Sequence, residues 1–406
     1  MKIGIDCRMF GPGFGLARYT QQLVKNLLEI DLENQYVLFF RNCDIKEFKA
    51  GANKNVKIVV ADIPWYSVAE QVRFKNIIKK QKVDLMHFPH WNVPLFYNDP
   101  FVVTVHDLIM YHYPRPEATT LGPVKFWIKD KLHRIVLGHA VKKAKHIIVT
   151  SEFTKQDVHE TLGVELEKMT VTYQAPFTQK HENTKTPGLM ASKHSAEGGS
   201  ASLGTPWAVG GENTRLDGLK TRKHTIDFEI TKPYVLYVGA AYPHKNLEGL
   251  LRTWDLFEDK YDDEYQLVLV GKEDYFYNNL KCKISNLKSA IHLGFVPDDE
   301  LVELYSNASL YVFPSKYEGF GLPTLEAQQY GVPVVSSNAS CLPEVLGESA
   351  LYFDPESVEQ MADTIHQGLT NEEIRFQLKQ NARENLKRFS GEGLARSTLG
   401  VYRSVI

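Results

Sequence analysis

The chain alternates short, unbroken apolar runs with longer stretches in which apolar residues recur every three or four positions, and it does so in both halves. Runs of this kind read as strands buried on both faces, and the periodic stretches between them as the helices that cover a parallel sheet. In the first half the strands are expected at 3–6, 36–40, 57–60, 84–88, 101–105, 146–150 and 169–173. In the second half they are expected at 234–238, 266–270, 291–293, 310–313, 333–336 and 350–353. The pattern predicts two doubly wound α/β domains. Between them, over 181–230, the periodicity stops and the chain turns to Gly, Ser, Thr, Lys and Asn, as in SAEGGSASLGTP. Such a segment cannot bury enough apolar surface to offset its ordering entropy, and reads as a flexible insertion at the interdomain linker. The expected domains are therefore 1–180 and 231–385, followed by a closing helical segment over 386–406.

A length of 406 residues suits two domains rather than one. With 43% hydrophobic and 24% charged residues the composition is that of a globular protein, and a net charge of −2 gives no reason to expect nucleic acid as a partner. The four cysteines are scattered with no C-x-x-C pair, which points to reduced thiols and a cytoplasmic setting. The N-terminus enters a strand directly, and no apolar run approaches the ~20 residues of a membrane span, so a non-integral, non-exported protein is expected. One stretch is locally basic: residues 123–145 carry seven Lys or Arg against one acid, with Phe126 and Trp127 among them. That composition suits either a solvated helix face or peripheral contact with an anionic membrane.

In doubly wound sheets ligands bind beyond the carboxyl ends of the strands, so candidate chemistry is sought in the loops after them. The most informative of these spans 317–333, YEGFGLPTLEAQQYGVP. Glu318 precedes Gly319, Phe320 and Gly321, and Pro323 offers the φ favoured at the first position of a helix. The amides of Phe320, Gly321 and Leu322 would then sit at a helix start, where free N–H groups suit phosphate or a ring of hydroxyls. Glu326 falls in the first turn and can accept from vicinal hydroxyls such as those of a ribose. After 234–238 come Gly239 and Lys245, the latter a candidate to neutralise a leaving diphosphate. After the first strand, Gly11-Pro12-Gly13-Phe14-Gly15 lets backbone approach a phosphate, but Leu16 stands where a third glycine would complete a dinucleotide fingerprint. His106 and Asp107 end the strand at 101–105. His87, His90 and Trp91 fall in MHFPHWNVP, at and just after the end of the strand at 84–88. The histidines lie on separate loops and the chain has no D-x-D pair, so no catalytic metal is expected.

The string of Glu318, G-x-G, Pro323 and Glu326 resembles the E-x7-E donor site of retaining GT-B glycosyltransferases of family four, and the likeness extends over about 2–173 and 232–388. The resemblance implies a GT-B fold, two Rossmann-like domains facing each other across a cleft. It implies a nucleotide-sugar donor held by Gly13, Gly15, Gly239, Lys245, Val296, Glu318, Gly319, Phe320, Gly321, Leu322 and Glu326. His106, Glu318 and Lys245 would be the catalytic set, with His106-Asp107 lining the cleft near the transferred sugar and His87, His90, Trp91 and Asp107 as acceptor-side candidates. One departure is Ala240, where many relatives carry an Arg as a second phosphate ligand, so the diphosphate would draw on Lys245, backbone amides, His244 or a basic group of the other domain. The overall look is that of bacterial polysaccharide mannosyltransferases. This implies GDP-mannose as donor, a glycan or polyprenyl-linked oligosaccharide as acceptor, and no cofactor. A UDP-sugar donor, or a catalytically idle sugar-nucleotide-binding subunit, stays open as an alternative.

Overall fold

The structure, a computed structural model, describes residues 1–10, 15–48, 53, 55–114, 122–176, 230–261 and 264–406. Gly13 and, apart from Ile230, the 181–230 segment lie outside the described residues. Every strand read from the apolar runs forms. The first sheet contains β1 Lys2–Asp6, β2 Gln35–Phe40, β3 Val56–Val60, β4 Leu85–Phe88, β5 Phe101–Val105, β6 His146–Val149 and β7 Met169–Val171. Its strands run parallel in the order β3-β2-β1-β4-β5-β6-β7. The second contains β8 Tyr234–Val238, β9 Gln266–Val270, β10 Ala290–His292, β11 Leu310–Phe313, β12 Val334–Ser337 and β13 Ala350–Phe353. It is also parallel, in the order β10-β9-β8-β11-β12-β13. The strand expected from Pro333 starts one residue later, since proline has no N–H to give a ladder.

Around the first sheet lie α1 Leu16–Ile30, α2 Lys75–Gln81, α3 Ile109–His112, α4 Gly122–Lys143 and α5 Glu152–Leu162. Around the second lie α6 Leu247–Tyr261, α7 Tyr275–Asn286, α8 Asp298–Asn307, α9 Leu322–Gln329, α10 Leu342–Leu346, α11 Val358–Thr370 and α12 Glu372–Leu386. The last helix, α13 Gly391–Ser404, is separate from α12: Ser390 caps it by accepting from the Gly393 amide. Its apolar face returns to the first sheet, where Leu394, Leu399 and Tyr402 share a core with Leu23, Val24 and Leu27 of α1. Opposite faces of that sheet thus have separate cores, one closed by α1 and α13 and the other by α2, α4 and α5.

Both sheets reverse direction once. In the first, the chain winds outward through β1, β2 and β3 and then resumes on the other side at β4; in the second, the break falls between β8 and β11. Loops diverge at such a reversal, leaving a crevice beyond the carboxyl ends of the two strands. The loops after β1, β4 and β5 open one crevice and those after β8 and β11 the other. Residues 1–177 and 232–406 form one compact unit, so the two sheets pack together.

Candidate active site

The loop after β11 carries the glycine-hinged string. Gly321 caps α9 with φ +87, a conformation costly for any residue with a Cβ, and a Cβ there would also meet Leu342 at 2.8 Å. Leu322 takes the first helical position and Pro323 the second, one place later than expected. Gly321 O accepts from the Thr324 amide at 3.0 Å and its hydroxyl at 2.7 Å, which closes the first turn. The Phe320 side chain packs between Tyr173 and Phe389, so what this residue offers a ligand is its backbone.

Gly319 is the tip of the loop and touches the opposite domain. A Cβ on it would lie 2.0 Å from the carbonyl oxygen of His106. Its own carbonyl accepts from Ser151 Oγ at 2.8 Å and Thr150 Oγ1 at 3.1 Å, at the entry to α5. Beside it, both carboxylate oxygens of Glu344 accept from the Glu152 and Phe153 amides, at 2.8 and 3.0 Å, and Tyr317 donates to Asp157. The glycine loop is thereby docked against the ends of β5 and β6.

Each carboxylate of the pair is matched with a cation. Lys245 Nζ lies 2.6 Å from Glu318 Oε1, brought there by a single 3-10 turn, Pro243–Lys245, after β8. Glu326, 3% exposed, accepts from Arg18 of α1, and Tyr305 OH approaches its other oxygen at 3.4 Å. Arg18 also reaches Asp298 at 2.6 Å. Burial pushes the Glu326 carboxyl above the usual carboxylate range, with the guanidinium opposing that shift. Nothing in the sequence marks Arg18 as a site residue, although it stands three residues after Gly15, whose φ of +66 starts α1. It is a basic group of the first domain that reaches the loop of the second.

His106 is buried at the end of β5. Its Nε2 donates to Pro89 O at 2.8 Å, Gln174 Nε2 approaches Nδ1 at 3.4 Å, and the Tyr19 ring stands edge-on at 4.5 Å. Burial pulls its pKa down to about 4, so at pH 7 it is an uncharged, fixed ring. Asp107 accepts from the Ile109 amide at 2.9 Å and starts the turn into α3. His90 lies 6.2 Å from the His106 ring, centroid to centroid, and packs on Trp91 at 4.7 Å. His87 does not join them. It is fully buried, with Nδ1 on Tyr402 OH at 2.6 Å and Nε2 on Thr104 Oγ1 at 2.9 Å, which corrects its reading as an acceptor-side residue. Its place is the core beneath α13.

Gly239 also differs from expectation. Its amide donates to Val270 O at 2.9 Å and its carbonyl accepts from Tyr277 OH at 2.8 Å, so its hydrogen bonds are spent inside the second domain. A Cβ on Gly239 would lie 2.9 Å from Tyr237 OH, and one on neighbouring Gly271 would lie 2.2 Å from Gly239 O, so the two strand ends pack backbone to backbone. Val296 is buried two residues after the Gly294 turn, at φ +70. No group of three or more His, Cys, Asp or Glu among the described residues is arranged to hold a metal.

Comparison with known proteins covers both halves. Residues 15–175 match the family described as Glycosyltransferase Family 4, and residues 221–385 match that described as Glycosyl transferases group 1. Over 173 residues the chain is 38% identical to O-antigen chain mannosyltransferase B of Escherichia coli, a stretch covering 42% of this chain and 45% of that protein. It is 26% identical to O-antigen chain mannosyltransferase RfbU of Salmonella typhimurium over 96% of this chain and 98% of that one. Among solved structures, Anabaena HepE in complex with UDP-glucose superposes with a TM-score of 0.69 at 15% identity, covering all of both chains, a likeness of fold.

Proposed function

Because the chain belongs to the GT-B glycosyltransferases, with a Family 4 half and a group 1 half, we propose that it transfers mannose from GDP-mannose, with retention, onto a glycan or polyprenyl-linked oligosaccharide during cell-surface polysaccharide synthesis. The observation that carries the reading is the double pairing of Lys245 with Glu318 and Arg18 with Glu326. A nucleotide sugar offers hydroxyls at its ribose and hexose and negative charge at the diphosphate between them. Two carboxylates accept from the hydroxyls and two cations take the phosphates, so one ligand would replace both ion pairs with contacts of matching sign. Choice of mannose rests on the O-antigen mannosyltransferase relatives. The UDP-glucose complex of HepE keeps a UDP-sugar as the second reading.

In this mechanism Glu326 holds the ribose, Glu318 and the amides opening α9 orient the hexose, and Lys245 with Arg18 stabilises the charge that grows on the departing diphosphate. Those cations would do what a metal does elsewhere, so transfer is proposed to need none. The acceptor hydroxyl attacks the anomeric carbon on the face that the diphosphate leaves, and its proton passes to the departing phosphate oxygen. His106, uncharged, shapes the wall across from the sugar. The acceptor end of the N-terminal domain and the basic face of α4 would bring the enzyme to a lipid-borne acceptor on an anionic membrane. No helix among the described residues is long and apolar enough to cross one.

The test is thermal unfolding with GDP, UDP, ADP, dTDP and NAD, followed by transfer from the stabilising nucleotide's sugars. A ligand at ~100 times its dissociation constant adds about 2.7 kcal/mol. Stabilisation by GDP that Glu326→Ala or Lys245→Ala abolishes is the expected result. Stabilisation by UDP alone moves the donor to the second reading, and no response to any diphosphate removes the proposed site. Binding without turnover would mark an idle subunit.

A further inference from the structure

One exposed side chain near the cleft is held in a conformation that its residue type resists. Tyr66 has φ +54, uncommon for a bulky residue, yet the residue stays 60% exposed. The strain is held by a buried charge network. The Tyr66 amide donates to Glu70 Oε2 at 2.9 Å; Glu70 Oε1 accepts from Arg8 at 2.6 Å and from Asn92 at 2.7 Å. Arg8, fully buried under the Phe74 ring at 3.7 Å, is clamped from its other side by Asp6 at 2.7 Å. Glu70 itself opens a π-turn, Glu70–Phe74, a local departure often found beside functional sites.

What this network presents is an exposed Tyr66 side chain set against Trp91, which is half-buried on the core of the first sheet. The Tyr66 ring lies 5.5 Å from Trp91, and its hydroxyl is 2.9 Å from His90 Nε2. Trp91 is backed by His133 of α4 at 4.3 Å. His90 connects the surface to His106, and through the His106 carbonyl to Gly319 at the tip of the donor loop. A small cavity lined by Asp6, Leu16, Thr20, His90 and Asn92 runs from the start of α1 to the same histidine. The apolar faces of pyranose rings settle on such tilted aromatic pairs while a neighbouring hydroxyl or imidazole takes their equatorial hydroxyls.

We propose that Tyr66 and Trp91 form the platform for the acceptor's terminal pyranose, and that the Asp6–Arg8–Glu70–Asn92 network keeps Tyr66 in its strained position for that purpose. The proposal rests on the glycosyltransferase reading and adds the acceptor subsite to it. Glycine suffers no penalty at φ +54, so a purely structural Tyr66 and a functional one respond differently to replacement.

The experiment uses the full chain and measures saturation-transfer NMR with the methyl α-pyranosides of mannose, glucose, galactose and N-acetylglucosamine, alongside thermal unfolding and nucleotide binding. For Tyr66→Gly the expected result is an unchanged or raised Tm, unchanged GDP binding, and an about tenfold loss of pyranoside affinity. Tyr66→Phe should retain most of that affinity, and acceptor KM should follow the same order while donor KM stays constant. Undiminished sugar binding in Tyr66→Gly, or no binding of any of the four sugars by the wild type, would overturn the platform. Nucleotide binding is read separately, so its absence would count against the donor site instead.

Discussion

Arg18, on the first helix of one domain, donates to Glu326, on the helix that follows the glycine loop of the other, and the two are 308 residues apart in the chain. Removing one member of a buried pair within a rigid core costs about 3–5 kcal/mol, because the other charge is stranded. Here the stranded group can be relieved by domain opening, which lets water reach Glu326. Arg18→Ala is therefore expected to leave the main thermal transition nearly unchanged while raising the radius of gyration in small-angle scattering and weakening GDP binding about tenfold or more. A scattering curve identical to the wild type would contradict the cross-cleft role.

Gly319→Ala puts a methyl group where the His106 carbonyl oxygen stands, at 2.0 Å. Backbone on both sides leaves nothing flexible to give way, so the donor loop must withdraw from β5. Turnover should fall about a hundredfold, with nucleotide binding, proposed to rest mainly on the C-terminal domain, changed far less. Equal losses in both measurements would show that the contact supports the nucleotide rather than the sugar.

Lys245 and Lys272 both follow strands of the second sheet, but only Lys245 is drawn to a site carboxylate. In initial-rate assays Lys245→Ala should lose about 10²–10³ in kcat, the scale of a lost transition-state charge contact, and Lys272→Ala little. Similar losses for both would refute the ranking.

His87 makes a prediction about acid. Burial lowers its pKa to about 3, so the folded chain binds fewer protons than the unfolded one whenever the pH lies between about 6.5 and that value. Its contribution to stability is complete above pH ~6.5 and falls by about 1.4 kcal/mol per pH unit as the pH drops through that window. His87→Gln removes the ionisation, and the slope of Tm against pH between 6.5 and 4.5 should flatten. An unchanged slope would show that His87 does not titrate differently in the folded and unfolded chains.

Along α4, Ile128, Leu132 and Ile135 lie at helical spacing and are each about half exposed, next to Trp127 at 63%. Lys129 and Lys131 flank them. Replacing both lysines by Gln should reduce co-sedimentation with vesicles containing anionic lipid, and replacing Ile128 and Leu132 by Ser should reduce it with neutral vesicles as well. Binding that ignores all four substitutions would return α4 to the role of a solvated helix.

What could be read from the sequence follows its physical range. A strand buried on both faces announces itself through its own composition: all five residues of Tyr234–Val238 are buried, and a continuous apolar run records that without reference to neighbours. Glu318 and Glu326 were legible for a similar reason, since glycine, proline and carboxylates fall within one loop. Arg18 and Glu344 were not, because their partners belong to the facing domain and no local pattern encodes the register between two separately folded sheets. His87 was misread for the same cause: a histidine beside cleft residues looked like one of them until α13 brought Tyr402 onto it from 315 positions away. Tyr66 left no trace either, as a positive φ at a tyrosine is imposed by Arg8 and Glu70 from outside its own turn.

The return of α13 to the first sheet matters to anyone who would recombine these enzymes. The chain passes between domains twice, so a donor domain exchanged by a single cut after residue 231 would bring with it a final helix shaped for another protein's α1. Leu23, Val24 and Leu27 would then meet a foreign surface, and His87 would lose its tyrosine. A chimaera with a new sugar-nucleotide preference would need two junctions, the second between α12 and Ser390, so that the native last helix stays with the half it completes.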